Sequence, residues 1–92
     1  MLRLFEVTVS LTTYPATAQI DFLAAAPAAL PKKLKVMNTG GIPVYVSYDG
    51  TNNHDYLMSG EVTVYRDILE GNPKLWFKLE SAGSTTVKIV EY

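Results

Sequence analysis

Between Lys35 and Tyr65 the chain reads KVMNTGGIPVYVSYDGTNNHDYLMSGEVTVY, short apolar runs cut at close intervals by turn residues. Val44, Val46 and Tyr48 alternate with Tyr45, Ser47 and Asp49. That is the period-two pattern of a strand with one buried face. Asn38-Thr39-Gly40-Gly41, ahead of Pro43, is expected to turn because Gly and Asn tolerate positive φ, and Asp49-Gly50 and Ser59-Gly60 punctuate the stretch further. The order is strand, turn, strand, loop and strand, with no helix of useful length.

The same pattern extends to both ends. Leu2 to Leu11 reads as a strand with Phe5, Val7, Val9 and Leu11 on one face and Leu4, Glu6, Thr8 and Ser10 on the other. Thr12-Thr13-Tyr14-Pro15 ends it, because Pro15 has no N–H for a ladder. Ala18 to Leu23 follows as a short strand with Ile20 and Phe22 inward. In Ala24 to Pro31 alanine favours helix, but Pro27 and Pro31 interrupt one, so an extended loop or a single turn is expected. Lys33 to Asn38 is a strand with Leu34 and Val36 inward and Lys33, Lys35 and Met37 outward. Pro43 opens the next strand, and His54 to Met58 is a short return. Glu61 to Arg66 is expected to bury Val62 and Val64. Asp67 to Pro73 forms a loop. Lys74 to Glu80 turns Leu75, Phe77 and Leu79 inward and Lys74, Trp76, Lys78 and Glu80 outward. After the Ser81 to Ser84 turn, Thr85 to Tyr92 closes the chain with Val87 and Ile89 inward. About eight short strands between Gly, Pro and Asn turns predict an all-β sandwich or barrel.

At 92 residues a single domain, 1–92, is expected, with a thin core. Such cores are often reinforced by disulfides, metals or oligomerisation. There is no Cys and one His, so disulfides and multi-His metal sites within one chain are excluded and oligomerisation remains. The net charge of −1 supplies no basic field, so no nucleic-acid partner is expected. Charged residues are only 18% of the chain against 48% hydrophobic, a balance that suits either a surface held against another protein or an ordinary β-rich composition. Glu6 and the polar alternation around it break any apolar signal-peptide segment, and no run is long enough to span a membrane. Synthesis in a cytoplasm, with no membrane partner, is the expectation.

Candidate chemistry is sparse. Asp49, Thr51, Asn53 and Asp55 place oxygen groups at alternating positions, as calcium loops do. Gly50 stands second instead of sixth, and the twelfth position is Gly60 where that template needs Glu. A turn whose Asx side chains bond their own backbone accounts for the loop better. His54 with Asp49 or Asp55 offers a general-base pair, but no nucleophile elbow or oxyanion motif accompanies it. Glu61, Asp67, Glu70 and Glu80 show no spacing that pairs carboxylates across a cleft. No enzyme activity and no cofactor are expected. Trp76 is the sharper feature, since a Trp on an outward strand face invites contact with a partner, a covering loop or a stacked sugar. Tyr45 and Tyr14 join it as candidate contact residues.

The segment Asn38-Thr39-Gly40-Gly41-Ile42-Pro43-Val44-Tyr45-Val46-Ser47-Tyr48-Asp49-Gly50, followed by Asp55-Tyr56-Leu57 and Ser59-Gly60, resembles small virion structural proteins of tailed bacteriophages. It covers about a third of the chain; the flanking strands agree in pattern alone. The resemblance implies a compact antiparallel β-sandwich, jelly-roll-like. It also implies an architectural role, as in capsid decoration (cement) proteins that clamp adjoining capsomers on the outer surface of the head. The implied partners are the major capsid protein and further copies of the chain, as a dimer or trimer, and the implied location is the virion. A tail or head-tail connector subunit is the alternative within that group. A carbohydrate-binding sandwich using Trp76 is the alternative outside it.

Overall fold

The structure, a computed structural model, describes residues 3–21, 33–66 and 74–91. Within them lie eight strands: β1 (Arg3–Val9), β2 (Ile20–Asp21), β3 (Lys33–Asn38), β4 (Val44–Ser47), β5 (Asp55–Leu57), β6 (Val62–Arg66), β7 (Lys74–Leu79) and β8 (Thr85–Glu91). They form two four-stranded sheets, ordered β1-β8-β3-β6 and β2-β7-β4-β5. Every pairing is antiparallel. The hairpin β4–β5 joins the one pair of consecutive strands that share a sheet; each other connection crosses to the opposite sheet. This order is the jelly roll, two Greek keys wrapped into a sandwich. The expected all-β, jelly-roll-like sandwich is therefore the fold.

Period-two patterning places the core where the sheets meet. Leu34, Val36, Val87 and Ile89 enter from one sheet, and Val44, Val46, Leu75, Phe77 and Leu79 from the other, all essentially sealed from solvent. In β7 the alternation Lys74-Leu75-Trp76-Phe77-Lys78-Leu79 holds without a break, its apolar residues buried and the others half-buried. The inward residues expected of β3, β7 and β8 are the ones observed.

Three expectations are corrected. In β6, Val62 and Val64 are not inward: they are 47% and 41% exposed, and Tyr65 is buried at 6%. The register explains this, since Leu34 lies opposite Tyr65 and Val36 opposite Thr63. Residues directly opposite each other share a face, so the inward set of β3 dictates that of β6. Leu11 is also not inward. β1 leaves its ladder after Val9, and the Leu79 N–H donates to the Leu11 carbonyl (2.8 Å), drawing the backbone across to the other sheet. The Gly40-Gly41 turn does not use glycine's positive φ, which among the described glycines is confined to Gly50, Gly60 and Gly83. Gly40 is needed for space, because a Cβ there would fall 1.7 Å from Thr85 Oγ1 and 2.8 Å from Thr85 Cα. The expectations for Phe22, for Ala24 to Pro31 and for Asp67 to Pro73 lie outside the described residues.

Candidate interaction surfaces

The residues that carried the resemblance hold the fold together. Asn38, at the end of β3, is buried between the sheets. Its Nδ2 donates to the carbonyls of Ile42 (2.8 Å) and Leu57 (3.2 Å). Its Oδ1 accepts from Gly40 N (3.2 Å) and from Thr85 Oγ1 (2.8 Å). One side chain thus joins β3, the turn after it, β5 and β8. Sequence reasoning read Asn38 as a turn residue and missed that it is a buried latch.

The Asp49–Asp55 loop is likewise occupied internally. Asp49 Oδ1 accepts from the backbone N–H groups of Thr51 (2.8 Å) and Asn52 (2.9 Å), and Oδ2 from Asn52 Nδ2 (2.7 Å). These bonds, those to Asn52 and Thr51 first, hold the Asp49 carboxyl well below the usual carboxylate range. His54 stacks on Tyr48 with ring centroids 4.4 Å apart, and its Nδ1 accepts from Tyr48 N (3.0 Å). Its Nε2 stands 3.9 Å from Asp49 Oδ2. Asp55 does not serve His54; its Oδ2 accepts from the hydroxyls of Tyr48 (2.8 Å) and Tyr65 (2.7 Å). Burial, then the bond to Asp55, pushes Tyr48 up to about 12 and Tyr65 higher still. These groups fasten the loop to β5 and β6. Among the described residues, no group of three or more His, Asp or Glu side chains is assembled to hold a metal ion.

Trp76, Tyr45 and Tyr14 are brought to the outer side of the β2-β7-β4-β5 sheet. Tyr45 lies beside Lys78 on β7 and beside Tyr56 on β5, and Ser47 lies beside Trp76. Lys78 Nζ sits between two rings, 4.7 Å from the centre of Tyr14 and 5.4 Å from that of Tyr45. Such a cation draws on the electron-rich ring faces. Tyr14 is fixed further by its hydroxyl, which donates to Asn53 Oδ1 (2.6 Å), and burial pushes it up to about 12. Tyr56 tilts against Tyr45 at 5.2 Å and donates to Glu80 Oε2 (2.6 Å). Trp76 is half-buried against the Asp49-Gly50 turn, not free on the strand. Gly50 has φ +78°, and a Cβ there would come within 2.9 Å of Trp76 Cε2. Positive φ and the indole both favour glycine at that position.

The opposite outer face, on the β1-β8-β3-β6 sheet, is more apolar than the sequence suggested. Pairing aligns Leu4, Val90, Lys35 and Val64 in one row across all four strands. The next row is Glu6, Lys88, Met37 and Val62. Leu4 is 65% exposed, and with Val62 and Val64 it marks two edges of the face. Met37 and Val90 lie half-buried between them. Val62 and Val64 were missed as surface residues because both faces of VTVYR suit a strand. The signal lay in Tyr65, whose hydroxyl needs a polar partner and finds it in Asp55.

Comparison with models of known protein families and with curated proteins found no match.

Proposed function

We propose that the chain is a structural subunit of a tailed-phage virion, a capsid decoration protein that binds the major capsid protein as a homo-oligomer. One observation carries the reading: Leu4, Val62 and Val64 stand exposed on a single sheet face while a separate, complete core holds the fold. A subunit that works by lattice contact needs such a face more than it needs a reactive group. The resemblance of Asn38 to Gly60 to virion proteins supports the reading. So does the jelly-roll strand order, which viral capsid domains use and which lectins also share.

The mechanism is non-covalent. Laid across two capsomers, the outer face of the β1-β8-β3-β6 sheet removes apolar side chains from water at ~25 cal/mol per Å². Loss of rotational and translational freedom offsets much of that per copy. Many linked copies on one lattice supply the rest, because each attached copy raises the effective concentration of its neighbours. The sugar-platform alternative is weaker on geometric grounds. Lys78 takes ring faces of Tyr14 and Tyr45, and Gly50 covers Trp76, so few ring faces are left to stack on a glycan.

Co-sedimentation of the purified chain with mature, undecorated shells tests the reading. Saturable binding at a stoichiometry fixed by the lattice is expected. No binding, together with a closed ring of fixed copy number in solution, would transfer the chain to the tail or connector.

A further inference from the structure

We infer that β6 pairs edge to edge with β6 of a second copy, antiparallel about a two-fold axis beside Val64. This names the contact strand of the homo-oligomer proposed above; its test needs no shell, so the two readings can fail separately.

An edge strand is a template for another chain unless something blunts it, such as shortness, charge, proline or a bulge. Three of the four edges are blunted. β5 has three residues, and β2 has two within the described residues. β1 is long, but complete overlap of Arg3–Val9 with its own copy sets the exposed Glu6 opposite itself. β6 differs. Val62-Thr63-Val64-Tyr65 contains no charge and no proline, the strand's one charged residue, Arg66, stands at its end, and the register with β3 runs unbroken from Lys33↔Arg66 to Met37↔Val62. No described strand pairs with its other side.

The hydrogen-bond phase chooses the register. Asn38 N donates to Glu61 O (3.0 Å), and Thr39 N donates to Thr86 O on the opposite flank. Backbone groups alternate sides along an antiparallel strand. Thr63 and Tyr65 therefore direct their N–H and C=O groups to β3, Glu61 directs its C=O there while its N–H donates to the Met58 carbonyl, and Val62, Val64 and Arg66 direct theirs to the free edge. A two-fold axis beside Val64 sets Val64 against Val64 of the second copy and Val62 against Arg66 of that copy. Every outward N–H and C=O of the strand then meets a partner, and the strand is used from end to end. An isologous contact of this kind is satisfied by identical copies. It also joins the two rows that end in Val64, so the exposed Val64 side chains of the two copies meet on one face.

Sedimentation of the full chain over rising concentration, with amide exchange read residue by residue, tests the inference. The expected result is a species of twice the 10.1 kDa chain mass. In it the Val62, Val64 and Arg66 amides gain protection as concentration rises, while Thr63 and Tyr65 are protected throughout. Val64→Pro removes an outward N–H and leaves the β3 ladder intact, so the dimer should be lost with the fold kept; Val64→Lys serves if the proline variant does not fold. A monomer at every concentration would overturn the inference. So would an oligomer in which the Val62 and Val64 amides exchange as freely as in the monomer.

Discussion

Asn38 shows how much one side chain can hold. All four of its side-chain hydrogen bonds go to protein groups, and at 1% exposure water cannot replace them. Asn38→Ala strands the buried partners, so a loss of about 3 kcal/mol or more is expected in urea unfolding. The two neighbouring glycines should then behave differently. Gly40→Ala collides with the Thr85 backbone as well as its hydroxyl, so a loss of about 2 kcal/mol or more is expected, and Thr85→Ala should not rescue it. Gly41 faces open space, so Gly41→Ala should lie within about 0.5 kcal/mol of the parent. The sequence made the turn legible, but two glycines in a row look alike until the approach of Thr85 is known. The Tyr48–Asp55–Tyr65 cluster sets an alkaline limit. Unfolded tyrosine titrates near pH ~10, and both phenols titrate higher in the folded chain. Their contribution is whole below that pH and declines as the pH rises toward the folded values. Denaturant midpoints should therefore fall above pH ~10, and the fall should be shallower in Tyr65→Phe, which at neutral pH loses about 1 kcal/mol.

At the scale of the element, β6 is where the sequence misleads and pairing decides. Val62, Thr63, Val64 and Tyr65 all favour strands, so local pattern cannot say which two face inward. Leu34 and Val36 on β3 settle it by lying opposite Tyr65 and Thr63. Val62→Thr and Val64→Thr should each shift unfolding by less than about 0.5 kcal/mol. Tyr65→Ala should lose about 3 kcal/mol or more, through the cavity and the orphaned Asp55 bond. The reverse ranking would mean that the strand faces the other way. β3, β7 and β8 were legible because their outward positions are mostly charged or polar, as in Lys74 and Lys78, and the contrast names the face. Trp76 was legible as outward. Its seat beneath Gly50 was not, because the loop that covers it follows a different strand.

For the whole molecule, strand count and class followed from turn spacing, whereas strand order depends on which distant segments pair. The two outer faces divide the work. On one, Tyr14, Tyr45, Tyr56 and Lys78 satisfy one another. On the other, Leu4, Val62 and Val64 have no apolar cover within the described residues. The candidate contacts named from sequence, Trp76, Tyr45 and Tyr14, gather on the first face; the proposal places the shell on the second. Binding isotherms on mature, undecorated shells, measured side by side for the parent chain, for Leu4→Ser and for Tyr45→Ala, test that assignment most directly. Leu4 lies on β1, away from the β6 edge, so its loss leaves self-pairing intact. Saturable binding by the parent, at least tenfold weaker binding by folded Leu4→Ser, and near-parental binding by folded Tyr45→Ala are expected. Parental binding by Leu4→Ser with loss in Tyr45→Ala would contradict that assignment and move the contact to the aromatic face.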